Sequence, residues 1–327
     1  MSESTNEATA RRPTGGGAAP VSTAPPAQHA HAVMHCNLNT ADGERAAAFY
    51  MAAFGVEPRM RSVETDGDAT AMGLGTGTRS VTTFLYDRRG PRAAPALELV
   101  DWESPATTPA TPEHAPSGFA AVGYRVPSLR SLRARLEALG HPVSEVPEGL
   151  RVRGHSHPGL RTADLDGVVV EAVEIAPAAG DPTLDGLISH ERMVCSDLDR
   201  TLAWYARIGW VVRARGEEEG TPWASIALPE DATFSLEFGQ AARPLEGAPR
   251  PANTRGLYRM ALAVDDVRAA HAVLAATHGD VPDPVFIPMP DTPTGGFTVL
   301  FLSDPDGTVV ELVERPRSQV RRPSEPS

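Results

Sequence analysis

The 327-residue chain contains little cysteine, no excess of positive charge and no long apolar run. Cys36 and Cys195 are too few for a disulfide framework or a cysteine-based zinc site, and they fit a reducing compartment. Acidic residues outnumber basic ones by 42 to 30, and the formal charge of −12 argues against nucleic acid as a partner. No run reaches the roughly 18 apolar residues of a membrane span, and no signal-peptide pattern is present. We therefore expect a cytoplasmic protein that binds neither nucleic acid nor membrane.

Length and composition predict two strand-rich domains. The chain is about twice the ~150 residues of a common domain, and 31 prolines with 29 glycines favour short strands and turns. Low-complexity residues 1–28 are expected to be a disordered tail, residues 177–186 a linker, and residues 316–327 a basic, solvated tail. The predicted domains are residues 29–176 and 187–315.

The sequence contains an internal duplication. The segment from His35 to Tyr50 aligns without a gap with the segment from His190 to Tyr205. The identical pairs are His35/His190, Asp42/Asp197, Arg45/Arg200, Ala48/Ala203 and Tyr50/Tyr205. Each half divides again, because a strand, a helix and about three strands recur near residues 31–103, 118–175, 187–239 and 256–314.

Several polar side chains lie on otherwise apolar strands. Alternation along the strands places His35 and Asn37 on one face, and it places His190 on the equivalent face of its own strand. The carboxylates that interrupt apolar strands are Glu98, Glu171, Glu237 and Glu311. Imidazole and carboxylate groups that converge in a cup form a ligand set suited to Fe(II), Mn(II), Ni(II) or Zn(II).

These motifs resemble the vicinal oxygen chelate superfamily, which includes glyoxalase I, extradiol dioxygenases and bleomycin resistance proteins. The resemblance rests on the His-x₆-Asp-x₂-Arg-x₄-Tyr spacing and on the Asp-Pro-Asp-Gly-x₃-Glu sequence that ends at Glu311. It implies an α+β fold in which four βαβββ modules form two tandem, open, eight-stranded barrels. It also implies a metal held by first-strand histidines and last-strand glutamates. The first barrel would then use His35 and Glu171, with Glu98 as an extra carboxylate, and the second His190 and Glu311, with Glu237 as the extra.

Two positions depart from the pattern of the family's dioxygenases. The second first-strand histidine that those enzymes use is replaced by Ala121 in one barrel and by Arg259 in the other. A guanidinium cannot ligate a metal and would pair with Glu311 or Glu237, which predicts that the second barrel is metal-free. His157 is a candidate substitute ligand or general acid–base in the first barrel.

Two functions follow from this pattern. One is a divalent-metal-dependent lyase, isomerase or dioxygenase that acts on an oxygenated small molecule, with Glu98 or Glu171 moving a proton. The other is a metal-free small-molecule binding or resistance protein in which Asn37, Arg259 and Glu237 contact the ligand. We expect one active and one structural barrel, a monomer or homodimer, and pocket specificity set by residues 61–80 and 283–297.

Overall fold

The computed structural model describes Met1 and residues 29–111, 118–175, 185–245, 249–278, 281–292 and 294–323. Almost all of the predicted tail 1–28 and linker 177–186 lies outside these residues. Each of the four repeats folds as one βαβββ module, as the sequence predicts. Within the described residues, no helix has the length and apolar character needed to cross a membrane.

The first two modules occupy the N-terminal half. Module 1 consists of β1 (Ala32–Thr40), α1 (Gly43–Phe54), β2 (Glu57–Asp68), β3 (Thr76–Tyr86) and β4 (Ala96–Ser104). Module 2 consists of β5 (Phe119–Val126), α2 (Leu129–Ala138), β6 (Ser144–Val152), β7 (His155–Ala163) and β8 (Val169–Glu174).

The last two modules repeat this order in the C-terminal half. Module 3 consists of β9 (Leu187–Cys195), α3 (Leu198–Arg207), β10 (Val211–Glu218), β11 (Thr221–Leu228) and β12 (Asp231–Gln240). Module 4 consists of β13 (Gly256–Val264), α4 (Val267–His278), β14 (Val285–Pro288), β15 (Gly296–Ser303) and β16 (Val309–Glu314).

The duplicated Asp-x₂-Arg motif marks where a helix begins. Asp42 is the N-cap of α1 and accepts a hydrogen bond from the backbone N–H of Arg45 at 3.0 Å. Asp197 caps α3 in the same way through the N–H of Arg200. Each cap satisfies a backbone donor that has no partner inside the helix, so the motif is explained by helix initiation.

The duplicated tyrosine joins neighbouring modules. Tyr50 on α1 donates its hydroxyl to Asp164 in the turn before β8, at 2.8 Å, and both side chains are buried. Tyr205 on α3 makes the equivalent bond to Asp304, before β16, at 3.4 Å. The helix of each odd module is thus attached to the final turn of the following even module.

The strands form two eight-stranded curled sheets, which confirms the predicted fold class. The sheet that we call the terminal sheet has the order β14-β15-β16-β13-β1-β4-β3-β2 and combines modules 1 and 4. The central sheet has the order β10-β11-β12-β9-β5-β8-β7-β6 and combines modules 3 and 2. The expectation that each half of the chain forms its own barrel is therefore wrong.

First strands join the modules within each sheet. β1 pairs antiparallel with β13, with His35 opposite Ala261, and β5 pairs antiparallel with β9, with Gly123 opposite His190. Within each module the first strand runs parallel to the last, as β1 does beside β4. This register brings His35 to Glu98 and Glu311, and it separates His35 from Glu171.

One hydrophobic core spans both sheets and the helices. Its strand residues include Cys36 of β1, Met193 of β9 and Met260 of β13, which lie on the faces opposite to His35, His190 and Arg259. Glu191 lies fully buried on the corresponding face of β9, beside Cys36. Burial raises the pKa of the Glu191 carboxyl to about 8, so the group is mostly protonated at neutral pH.

The C-terminal segment differs from the predicted solvated tail. The side chain of Arg322 is buried and forms an ion pair with Asp231 at 2.9 Å, and it also donates to the backbone carbonyl of Val33. Arg317 pairs with Glu230 and Asp265. The segment is therefore held against modules 1, 3 and 4, whereas residues 324–327 lie outside the described residues.

We predict that Glu191 makes stability fall as pH rises from about 4.5 to about 8. In this window the unfolded chain has released the Glu191 proton while the folded chain retains it, so unfolding is favoured by up to about 1.4 kcal/mol per pH unit. Urea unfolding at pH 5, 6.5 and 8 should show a steeper decline for the wild type than for Glu191→Gln. Equal slopes for the two proteins would contradict the assignment.

Candidate functional site

Four charged or titratable side chains converge on the concave face of the terminal sheet. Two come from module 1, His35 on β1 and Glu98 on β4, and two come from module 4, Arg259 on β13 and Glu311 on β16. We call these four residues the terminal cluster. The parallel pairing of Asn37 with Glu98 and of Ala261 with Glu311 fixes their positions along the strands.

Arg259 bridges the two carboxylates of the terminal cluster. Its Nε donates to Oε2 of Glu311 at 2.8 Å, and its Nη2 donates to the two carboxylate oxygens of Glu98 at 3.1 and 2.9 Å. The three side chains are 5–9% exposed. Charge-assisted hydrogen bonds of this kind are the strong ones, because a guanidinium presents a planar set of donors to carboxylates.

His35 approaches the same two carboxylates. Its Nε2 lies 3.2 Å from Oε2 of Glu98 and 3.6 Å from Oε2 of Glu311. The imidazole packs edge-on against Phe84, with ring centroids 5.5 Å apart. Asn37, a predicted ligand-binding residue, is fully buried and donates from Nδ2 to Glu98 at 3.0 Å, so it orients that carboxylate.

The pKa shifts of the terminal cluster follow from this pairing. Burial alone lowers the pKa of Arg259, but the charges of Glu98 and Glu311 outweigh it and raise the pKa above its usual value. Burial raises the pKa of Glu311, but Arg259 and His35 outweigh it and lower the pKa. Arg259 and Glu311 therefore stay charged at neutral pH.

A cavity of about 700 Å³ opens above the terminal cluster. Its wall is largely apolar and includes four of the eight methionines in the sequence: Met34, Met60, Met72 and Met289. Phe84, Trp102 and Phe297 add aromatic surface. The predicted specificity segments 61–80 and 283–297 both contribute to this wall, the first mainly through β2 and β3 and the second mainly through the turn between β14 and β15.

The central sheet holds a different cluster around Glu171. This fully buried carboxylate accepts hydrogen bonds from Nε of Arg161 at 3.0 Å and from Nε of Arg192 at 2.8 Å, and it lies 3.3 Å from Nε2 of His190. Burial opposes ionisation, but hydrogen bonds from His190 and Arg192 hold the pKa of Glu171 far below its usual value. Two guanidinium groups therefore neutralise the carboxylate that was predicted to bind a metal.

A hairpin of the protein itself fills the mouth of the central sheet. At the turn between β6 and β7, the backbone N–H of Arg153 donates to Glu237 at 2.9 Å. Glu237 also accepts from the hydroxyl groups of Ser225 and Ser235. Arg151 of the same hairpin lies 4.2 Å from the centre of the Trp223 ring and forms an ion pair with Glu218 at 2.7 Å. Glu237 is thus occupied by backbone and hydroxyl donors.

Gly123 makes room for His190. A Cβ atom at Gly123 would lie 2.0 Å from Cε1 of the His190 ring. The ring cannot move freely, because it is fully buried and its Nδ1 contacts the Ser189 hydroxyl at 2.8 Å. The glycine is therefore required by close packing in an extended strand.

The structure separates the predicted site residues into two groups. His35, Asn37, Glu98, Arg259 and Glu311 come together in the terminal sheet. The predicted pairing of Arg259 with Glu311 is present, but its second carboxylate is Glu98.

The remaining predicted residues lie in module 2 or 3. His190, Glu171 and Glu237 belong to the central sheet, which corrects the sets His35 with Glu171 and His190 with Glu311. His157 lies on β7, where it lines a separate depression with Arg130 and Glu148.

Two arginines of the central sheet were not recognised as site residues. Arg192 lies two residues after His190 on the same strand face, a spacing that was visible in the sequence. Arg161 reaches Glu171 across the β7–β8 pairing, where it is the direct neighbour of Glu171. That register could not be read from the sequence.

The fold and the two clusters define a duplicated βαβββ protein with one open and one filled concave face. The family model described as "Glyoxalase/Bleomycin resistance protein/Dioxygenase superfamily" matches residues 32–172 and 187–312. The chain belongs to this superfamily.

Solved structures share the fold at low sequence identity. Glyoxalase I from Zea mays is 19% identical with a TM-score of 0.62, covering 86% of this chain and 92% of its own. A protein from Bacillus subtilis subsp. subtilis str. 168, provisionally described as a dioxygenase, is 14% identical with a TM-score of 0.60, covering 90% and 92%. No curated protein sequence matches this chain.

The terminal cluster does not fit a divalent metal in this arrangement. His35, Glu98 and Glu311 are suitable ligand types, but the guanidinium of Arg259 already occupies carboxylate oxygens of both glutamates. A divalent ion would have to displace these hydrogen bonds and remain beside a buried positive charge. Among the described residues, no group of three or more histidines, cysteines or acidic residues is arranged to hold a metal ion.

We predict that Gly123→Ala lowers the free energy of unfolding by about 1–3 kcal/mol, because the new methyl group overlaps the His190 ring. The loss should shrink in a His190→Ala background, as measured by urea unfolding. Gly239→Ala on β12 is the matched control, because a Cβ there meets nothing within 4 Å. An equal loss at both glycines would show that the cost does not come from His190.

Proposed function

We propose that the terminal sheet binds a small, largely apolar molecule without a divalent metal. The observation that carries this proposal is a cavity of about 700 Å³ whose polar floor is the Arg259–Glu98–Glu311 bridge. Cavities of this size and lining are typical of small-molecule sites. The proposal corresponds to the binding-protein alternative from the sequence. Because Arg259 already occupies oxygens of both glutamates, the second candidate is an enzyme that acts through His35 without a divalent metal.

The composition of the wall indicates the kind of ligand. Methionine side chains are unbranched and polarizable, so they adapt to ligands of different outline and contact aromatic rings favourably. Trp102 and Phe297 offer flat surfaces in the same cavity. We infer an aromatic or polycyclic ligand, held mainly by apolar contact and oriented by polar groups at the floor.

The second candidate, an enzyme, is favoured by the position of His35. Its imidazole lies at the cavity floor beside two carboxylates, which is suitable for moving a proton to or from a bound molecule. We propose that the two sheets have different roles: the terminal sheet holds the active site, and the filled central sheet is structural. A small molecule is the proposed partner of a cytoplasmic monomer or homodimer.

We predict that the wild-type protein binds one equivalent of N-phenyl-1-naphthylamine, a neutral apolar probe whose fluorescence rises in an apolar site. Met72→Arg should weaken binding at least about tenfold, because it adds an unpaired charge beside Arg259 in the cavity. Fluorescence titration measures both affinities.

The control for this titration is Met51→Arg, an equal change on the exposed side of α1. It should leave the affinity for the probe unchanged. Wild-type binding that survives Met72→Arg, or that Met51→Arg reduces equally, would place the probe outside the cavity. A wild-type protein that binds no probe would count against an apolar ligand site.

A further inference from the structure

Arg259 occupies one of four equivalent positions in the fold. In each module one first-strand residue pairs with the last-strand glutamate, and the residue two places earlier lies on the same face. That earlier residue is His35 in module 1, Ala121 in module 2, His190 in module 3 and Arg259 in module 4. In the terminal sheet, the two first-strand positions and the two glutamates therefore meet at one point.

The guanidinium of Arg259 neutralises the two carboxylates that meet at this point. Glu98 and Glu311 are 5% and 6% exposed, and two buried carboxylates repel each other unless a cation lies between them. Arg259 supplies that cation and hydrogen-bonds to both carboxylates at 2.8–3.1 Å. The planar guanidinium thus bridges two oxygen ligands as a divalent ion would.

We propose that Arg259 is a covalently attached counter-ion that takes the place of a metal in the terminal sheet, and that replacing it with a neutral ligand creates a divalent-cation site. The donors would be His35, Glu98, Glu311 and the introduced side chain. The inference rests on the geometry of the terminal cluster and is independent of whether the cavity binds an apolar ligand.

The presence of Arg259 where a metal would lie changes the chemistry offered to a bound molecule. Nη1 of Arg259 has a weak contact with the Met72 sulfur at 3.9 Å, and both residues line the cavity. The protein thus presents an N–H donor where a metal would present a Lewis acid. A carbonyl or phenol oxygen suits this donor, because it accepts a hydrogen bond without adding a full negative charge beside Glu98 and Glu311.

The test compares Co(II) binding by three full-length proteins: wild type, Arg259→His and Arg259→Lys. Isothermal titration calorimetry measures affinity, and visible absorption reports imidazole and carboxylate coordination. Arg259→His should bind one equivalent at least about 100-fold more tightly than wild type, because a neutral ligand replaces a repelling charge. Arg259→Lys, which keeps the charge, should resemble wild type.

Two double variants assign the site. His35→Ala combined with Arg259→His should lose the tight Co(II) binding, whereas His190→Ala combined with Arg259→His should keep it, because His190 lies in the central sheet. Tight binding that survives loss of His35 would overturn the proposal.

Two other results would also overturn it. One is stoichiometric Co(II) in the wild type that is lost in His35→Ala, because a metal would then coexist with Arg259. The other is an Arg259→His protein that unfolds cooperatively yet binds no Co(II). If Arg259→His folds only when Co(II) is present, the metal has replaced the missing charge and the proposal is supported. A wild-type protein that binds no Co(II) excludes the first result even if every variant fails to fold.

Discussion

The antiparallel pairing of β1 with β13 determines which charged groups meet in this protein. It joins the first and last modules in the terminal sheet and places Arg259 of module 4 beside Glu98 of module 1. Had neighbouring modules paired, Arg259 would have met a glutamate of module 3. The terminal cluster and the cavity above it are therefore consequences of strand order, and the same is true of the separate cluster around Glu171.

Much of the fold could be predicted from local sequence. The four modules are visible as repeats, Asp42 and Asp197 as helix starts, and Tyr50 and Tyr205 as core residues, because each depends on contacts within a repeat or with the next one. Module pairing could not be predicted in the same way. All four first strands are apolar and extended, so β1 could pair with β5 as readily as with β13, and the choice is made by packing of whole modules.

The sequence identified individual residues of the terminal cluster, but it did not predict which of them lie together. His35, Glu98 and Glu311 were identified because polar side chains on apolar strands are unusual, and Arg259 because it replaces the second first-strand histidine of the family's dioxygenases. Their grouping was wrong because it relied on pairing of neighbouring modules. The prediction of a solvated C-terminal tail was also wrong. The basic composition around Arg322 is typical of a tail, but Asp231 is a buried ion-pair partner that only the tertiary structure reveals.

The two sheets show how one repeated arrangement of modules satisfies buried carboxylates in different ways. The terminal sheet uses one arginine from a first strand and leaves the space above it open. The central sheet uses Arg161 and Arg192 on Glu171 and fills its mouth with the β6–β7 hairpin. In both sheets the positive charges that neutralise the carboxylates belong to the polypeptide itself. They differ in the access that they leave to a small molecule.

The strand order also has a consequence for biosynthesis. The strands of the central sheet lie within residues 119–240, whereas the terminal sheet needs both ends of the chain. During translation, β1 leaves the ribosome early and keeps one unpaired edge until β13 emerges, more than two hundred residues later. An exposed strand edge is a site for incorrect pairing, and domains fold in the order in which they are completed. The central sheet is thus the part that can form first, and the cavity of the terminal sheet is completed last.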